Sequence, residues 1–497
     1  MTADIELDWL ARWNLYSPRN IAIKDGETGR EFSYAALYEM ANRGAHFLSS
    51  KFNIGHGDRV AVLSTNELEY VILFFALQRL GAILVPINYR LTVREVSHIL
   101  EDCSAKLIVY EKTFATLFES MAPPAELLAL QGSDSFAEGL PSSSNQKMTF
   151  VPTELDPAMI LYTSGTTGAP KGAIVTYKMI FWNSINTSLR LNISQSDCTV
   201  SFLPFFHTGG WNVLTTPFLH RGAKVVFLKK FDAEQILSLS ESEKATLLFG
   251  VPTTMDTMAK SKSFTTCDLS AVRYAIVGGE PMPLELIKTW HNKGVPVRQG
   301  YGLTEFGPSV FSLNEEDALG KIGSIGFPNF YIEAKVVDRA GNELGPNEIG
   351  ELVLKGPSCM AGYWKNESAT RETLRYGWLY TGDLVRRDSE GFYYVVGRKK
   401  DMYISGGENV YPVELEQVLR SHPDVAEAAV IGIPDEKWGE VGKAFVVPKN
   451  GNLQTEQLLD HCRRNLAKFK IPKQFVFMNS LPKGDSGKIL KRQLSQV

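Results

Sequence analysis

The chain has 497 residues, too many for a single hydrophobic core, and 44% of them are apolar, enough to fill two or more. A formal net charge of −3, from 52 Lys and Arg against 55 Asp and Glu, gives no basic footprint for nucleic acid or for an anionic membrane surface. Five cysteines, Cys103, Cys198, Cys267, Cys359 and Cys462, stand singly; they fit neither a disulfide framework nor a zinc site and point to a reducing, cytoplasmic setting.

At the start, Met1 to Asp8 is acidic and lacks a basic region ahead of an apolar run, so no signal peptide is expected. From Arg59 to Tyr110 strands and helices alternate, with Val60 to Leu63, Ala82 to Pro86 and Lys106 to Tyr110 as the apolar strands, which is α/β architecture. The helix from about Glu67 to Leu80 has Thr65 and Asn66 as cap residues in front and Gly81 behind. Its most apolar part, Tyr70 to Leu77, is far short of a membrane span, which leaves peripheral membrane contact open, as are monomer and homodimer. A Ser/Gly-rich surface loop follows, from Gly132 to Lys147.

The strand Ala158 to Leu161 leads into Tyr162-Thr-Ser-Gly-Thr-Thr-Gly-Ala-Pro-Lys-Gly172. Glycines at 165 and 168 let backbone N–H groups approach an anion; Thr163, Ser164, Thr166 and Thr167 add hydroxyl donors, and Lys171 adds a point charge. The stretch is a candidate phosphate cradle, and Pro170 and Gly172 on either side of the lysine set it apart from a Walker A loop. A second α/β region runs to about Gly307, so two similar stacked sheets are expected. Within it, Pro204-Phe-Phe-His207-Thr-Gly-Gly-Trp211 surrounds one histidine with aromatic residues. Later, Gln299-Gly-Tyr-Gly-Leu-Thr-Glu305 offers Tyr301 to stack a base, Thr304 to bond a phosphate and Glu305 to bind Mg²⁺.

Between about Ser312 and Val396 short strands broken by Gly, Asn, Pro and Asp read as a small β-rich subdomain. Asp383, in Tyr380-Thr-Gly-Asp383, is a turn residue or a ribose ligand, and Arg398 stands close enough in sequence to clamp the same sugar. The charged cluster Gly397-Arg-Lys-Lys-Asp401 marks a boundary, beyond which an α+β rhythm continues to a basic turn, Ser486-Gly-Lys488. Nothing resembles a Ser/His/Asp triad or a metal cluster.

In order, these segments resemble the family of adenylate-forming, AMP-binding enzymes, in its acyl-CoA synthetase branch, with a texture similar to bacterial medium- and long-chain fatty acyl-CoA synthetases. The resemblance implies residues 1–397 as an N-terminal domain (two stacked α/β subdomains to about 310, a β-barrel-like part over 311–397), a hinge at 398–400 and a mobile α+β C-terminal domain over 401–497. It implies ATP, Mg²⁺, coenzyme A and a small carboxylic acid as ligands, with acyl-AMP formed first and acyl-CoA second. By the same resemblance Thr163 to Gly168 and Lys171 hold the β- and γ-phosphates, Thr304 the α-phosphate, Glu305 the metal, and Gly279, Glu280, Tyr301 and Gly302 the adenine side. Asp383 and Arg398 take the ribose, Lys488 catalyses adenylation, Lys400 is the hinge, and Gly407 lines the thiol tunnel. His207 gates an acyl pocket lined by Phe205, Gly209, Gly210, Trp211, Gly278, Gly302 and Ser309. That lining has no second cation and no acid, and a glycine at 302 implies an open pocket, so a medium- or long-chain fatty acid is expected, with an aryl acid as the alternative. A luciferase-like oxidoreductase and a carrier-loading enzyme share the first step. Tyr177 departs from the histidine common there, and Gly397 from an aspartate.

Overall fold

The computed structural model describes residues 6–148, 150–163, 170–449, 453–484 and 489–495. It divides into two compact units, Met1–Glu333 with Lys355–Leu379, and Ala334–Leu354 with Tyr380–Val497. The β-rich stretch over 311–397 is thus shared between them, and residues 398–400 lie inside the second unit.

The first unit holds two sheets. One has the order Glu126–Ala129, Leu107–Tyr110, Arg59–Leu63, Ile83–Pro86, Pro157–Thr163, Lys171–Thr176, parallel except for the last pair. The other runs Glu31–Ser33, Ile21–Asp25, Lys224–Phe227, Cys198–Ser201, Leu247–Gly250, Tyr274–Val277, Val297–Tyr301, again with a parallel centre, and is extended by the antiparallel Phe311–Ser312 and Ser324–Pro328. Between them lies the helix Leu68–Leu80, all of whose residues are buried. It touches Ile21–Asp25 of one sheet and Ile83–Pro86 of the other. A largely apolar helix buried on every side has to be covered on every side, its polar Glu69 and Arg79 being paired with Arg30 and Asp8, and each Leu or Phe so enclosed contributes about 1.5–3 kcal/mol.

The expected caps of this helix are corrected in part. Gly81 closes it as foreseen, but Glu67 is the N-cap and makes no side-chain cap bond. Thr65 donates instead to Glu111 at 2.7 Å. Asn66 reaches into the other α/β region: its amide donates to the Leu203 and Leu228 carbonyls at 2.9 and 3.3 Å and its oxygen accepts the Phe205 N–H at 3.0 Å.

In the second unit Glu333–Val337, Ile349–Lys355, Trp378–Arg387 and Tyr393–Arg398 are neighbours in that order. A separate sheet follows, Glu408–Val410, Tyr403–Ser405, Gly439–Pro448, Val425–Asp435, with Gln474–Phe477 parallel to the third of these. The helices Pro412–Arg420 and Thr455–Asn465 supply Leu415, Leu419 and Leu458 to one face of its core, while Leu481 and Leu494 pack with Phe445 in a second cluster. This is the α+β texture expected of the C-terminal part. Among the described residues no helix is long and apolar enough to cross a membrane.

One packing detail sets an acid limit. His220 stacks on Trp9 at 4.0 Å and bonds the Ser184 hydroxyl through Nδ1 at 2.8 Å. Burial, and after it Arg221, pushes its pKa down from 6.5 to about 3. The unfolded imidazole therefore takes a proton that the folded one refuses, so this stability is full above about 6.5 and is lost as pH falls from there toward about 3, by at most ~1.4 kcal/mol per unit. The urea midpoint of the wild type should drop between pH 7 and pH 5 by more than that of His220→Gln; equal drops would contradict the assignment.

Candidate functional site

The arms Pro157–Thr163 and Lys171–Thr176 pair antiparallel with Thr163 opposite Lys171, so the phosphate-type stretch joins two strands of a hairpin and no helix follows directly. Ser164, Gly165, Thr166, Thr167 and Gly168 lie outside the described residues. The arms are anchored from behind: Tyr162 donates its hydroxyl to the Asp102 carboxylate, and the Asp102 carbonyl accepts Trp364 Nε1 at 3.2 Å and Lys365 Nζ at 2.8 Å.

Glu305, on the single turn Thr304–Phe306 that follows the strand Val297–Tyr301, comes to the mouth of this hairpin. Its Oε1 accepts the Thr163 hydroxyl at 3.4 Å and the Tyr363 hydroxyl at 3.0 Å. Lys171 places its ammonium 5.5 Å from the centre of the same Tyr363 ring. Thr163, Lys171 and Glu305 are thus brought together as expected, and Tyr363 joins them unforeseen: it lies some 58 residues beyond Glu305 in a Gly-Tyr-Trp run with no periodicity to betray it. One half-buried carboxylate beside a hydroxyl suits Mg²⁺, which takes one or two carboxylates and fills the rest of its shell with water and phosphate oxygens. Among the described residues no group of three His, Cys, Asp or Glu could hold a metal alone, so a metal here would share its shell with a ligand.

Thr304 is buried beside Glu305, and Tyr301 meets Phe311 edge-on at 5.8 Å. Glu280 offers its carbonyl to Gln299 Nε2 at 3.1 Å, and Gly279 has φ +87°. Gly302 overturns an expectation. A Cβ there would lie 1.4 Å from the Pro308 carbonyl oxygen. Glycine is demanded by that backbone approach and says nothing about pocket depth. The approach is held from both sides, since Asn183 Oδ1 accepts the Ser309 N–H and Asn329 Nδ2 donates to the Ser309 carbonyl, both at 3.0 Å.

The expected acyl-pocket residues fall into two groups. His207 is exposed, and its Nδ1 accepts the Gly209 N–H at 3.1 Å, which places the proton of the neutral ring on Nε2. Side chains added at Gly209 or at Gly278 would each meet the half-buried ring of Phe249 at 3.7 Å, so these two glycines flank one aromatic surface that the sequence reading missed. Phe205 and Trp211, by contrast, are fully enclosed and stack on each other at 4.3 Å, with Tyr70 and Phe74 against the indole at 5.6 and 5.1 Å. Gly210 lies against the Pro204 carbonyl, where a Cβ would come within 2.4 Å.

In the second unit Asp383 and Arg398 stand opposite each other on paired strands and form an ion pair of 2.6 Å, with the carboxylate buried and the guanidinium half exposed. Lys399 pairs with buried Glu351 at 2.8 Å, and Lys400 is exposed in the turn that follows. Gly406 and Gly407 form the two-residue turn of the hairpin Tyr403–Ser405 and Glu408–Val410, at φ +61° and +88°, a conformation other residues rarely adopt. Lys488 lies outside the described residues, in a segment flanked by the Lys483–Ile489 bridge.

Sequence comparison matches residues 10–364 to AMP-binding enzymes and residues 414–488 to the AMP-binding enzyme C-terminal domain. A feruloyl-CoA synthase of Amycolatopsis is 37% identical over 98% of this chain and 97% of its own. A long-chain-fatty-acid–CoA ligase of Mycobacterium tuberculosis is 37% identical over 99% and 98%. Among solved structures, o-succinylbenzoate CoA synthetase of Bacillus subtilis carrying its acyl-adenylate intermediate superposes with a TM-score of 0.90 at 32% identity, covering 99% of this chain and 98% of that one. The same enzyme with ATP and magnesium ion gives 0.89, at 32% identity over 98% and 99%.

Gly302→Ala should lower the thermal midpoint by several degrees, since a clash of this depth costs at least about 2–3 kcal/mol. Gly278→Ala, whose Cβ would make only ordinary contacts beyond 3.5 Å, should unfold near the wild-type temperature. Differential scanning calorimetry of the two variants checks both.

Proposed function

This chain belongs to the AMP-binding enzyme family, and from that premise we propose that it is an AMP-forming acyl-CoA ligase acting on an apolar monocarboxylic acid, a compact aryl acid in preference to a long alkyl one. The reaction has two steps. A carboxylate displaces pyrophosphate from the α-phosphate of ATP to give acyl-AMP, and the thiol of CoA then displaces AMP.

Two anions meet in the first step, and their repulsion at about 4 Å is ~1 kcal/mol in water and ~4 kcal/mol at an effective dielectric of about 20. Positive charge must offset it. Thr163 and Lys171, with Ser164 to Gly168, hold the β- and γ-phosphates, Thr304 reaches the α-phosphate, and Glu305 is placed to hold Mg²⁺. Bound there, the ion neutralises phosphate charge. Gly279, Glu280, Tyr301 and Gly302 frame the adenine. Asp383 and Arg398, paired at 2.6 Å, take the ribose hydroxyls. Lys488 bridges the substrate carboxylate and the α-phosphate. For the second step Lys400 is the hinge, Gly407, open on the side a Cβ would occupy, borders the path of the thiol, and His207 gates the acyl pocket.

One observation carries the choice of acid: Gly209 and Gly278 flank the half-buried ring of Phe249, and a flat acid would lie against that face, while Phe205 and Trp211 stack on each other in the core. Long-chain activity is the second reading, favoured by Trp211 Nε1, which is buried with no hydrogen-bond partner among the described residues, so that packing alone holds the indole. The two relatives of equal identity named above fall one on each side. The cytoplasm is the proposed compartment, on the strength of five free thiols.

Pyrophosphate release and thioester formation across butyrate, octanoate, palmitate, benzoate and cinnamate test this. The aryl acids should give the highest kcat/KM, and preference for palmitate would sink the compact-acid reading. Trp211→Ala should raise octanoate and palmitate turnover at least tenfold and leave benzoate within a few fold. Lys488→Ala should cut adenylation by at least ~10²-fold, the scale of losing one preorganised charge partner, while thioester formation from supplied acyl-AMP persists.

A further inference from the structure

We propose that Tyr363 is a positioning residue for adenylation, which orients the Glu305 carboxylate for the metal and keeps Lys171 from neutralising it. The inference rests on the reading of Glu305 as the Mg²⁺ ligand and adds the device that makes that ligand usable.

A cation meant for phosphate and a carboxylate meant for a metal stand side by side at the mouth of one hairpin. An ion pair between them would weaken each for its ligand. Among the described residues no ion pair links them. Tyr363 contacts both: its edge hydroxyl donates to Glu305 Oε1 at 3.0 Å, while the Lys171 ammonium sits 5.5 Å from the ring centre. The ring attracts the cation without neutralising it. Thr163 addresses the same oxygen, Oε1, at 3.4 Å, and no described donor reaches Oε2. The hydrogen bonds therefore orient the carboxylate and leave one oxygen to bind.

The phenol is not needed to hold its own segment in place. Residues 360–364 run along the outer edge of Lys171–Thr176 by backbone alone: Ile174 N–H to the Gly362 carbonyl at 2.9 Å, Ala361 N–H to the Ile174 carbonyl at 3.2 Å, and Trp364 N–H to the Gly172 carbonyl at 2.7 Å. Met360 N–H also bonds the Glu305 carbonyl at 2.9 Å, which ties the metal-bearing turn to the same edge. The backbone pairing holds the segment, and the Tyr363 hydroxyl bonds the carboxylate. Mg²⁺ tolerates little departure from octahedral geometry, and outer partners of metal ligands are typically worth about 10–100-fold in metal affinity.

The test is Mn²⁺ binding to the whole protein with ATP, read as loss of the free-ion electron paramagnetic resonance signal, together with calorimetric ATP affinity without metal. Tyr363→Phe keeps the ring and should raise the Mn²⁺ dissociation constant about tenfold with metal-free ATP affinity unchanged. Tyr363→Leu also removes the aromatic face that holds the Lys171 ammonium, so metal-free ATP binding should weaken at least threefold in addition. In pyrophosphate exchange, Tyr363→Phe should raise the Mg²⁺ needed for half-maximal rate and leave the rate at saturating Mg²⁺ within twofold, a split that mere loss of folded protein does not produce. Wild-type Mn²⁺ affinity in Tyr363→Phe, alongside its loss in Glu305→Gln, overturns the proposal. Wild-type affinity in Glu305→Gln overturns instead the metal reading beneath it.

Discussion

The helix Leu68–Leu80 must be covered on all sides, and much of the first unit follows from that demand. An amphipathic helix needs one sheet; a helix with every residue buried needs apolar neighbours all round. Strands on both sides meet it, and the chain supplies them by sending its early strand Ile21–Asp25 away from Arg59–Leu63 to lie beside Lys224–Phe227. The same helix then sets the site. Tyr70, in its first turn, packs edge-on against Phe205 at 5.3 Å, and Asn66 just ahead of it fixes the backbone from which His207 projects.

Buried amides do the long-range joining. Asn66 and Asn183 each satisfy backbone groups from segments more than a hundred residues away. Leaving such groups unpaired would cost about 1–3 kcal/mol apiece, so these residues fix where loops sit as well as whether they are stable. Around them the glycines at 209 and 278 keep an aromatic surface clear, while the glycine at 302 makes room for a carbonyl. Residues of the same kind thus do opposite work within one site.

This division explains what could be read from the chain alone. The alternating strands, the hydroxyl-rich stretch with its lysine after a strand, and the nearness of Asp383 to Arg398 are local patterns, legible because their residues lie close in sequence or carry a recognisable period; that the stretch joins a hairpin and that Asp383 and Arg398 pair were not. Tyr363 and Phe249 were not, because their neighbours come from distant segments and an isolated aromatic residue reads as core. Asn before a helix usually caps it; here the cap position falls to Glu67, and tertiary bonds claim the Asn66 amide. Gly302 was read as empty space because absence of a side chain looks the same in sequence whether a ligand or a backbone oxygen fills it.

The antiparallel pairing of Pro157–Thr163 with Lys171–Thr176 has a consequence for product release. In a strand-to-helix phosphate loop the macrodipole is a permanent partial charge that cannot leave with the anion. A loop joining two strands has no such axis behind it, so under the proposed reading its hold on pyrophosphate rests on backbone N–H groups, side chains and a dissociable ion. Of these, the side chains can swing away and the ion can depart with its cargo. On that reading the hairpin would grip the leaving group reversibly, which suits an enzyme that must discharge one anion before the thiol can enter.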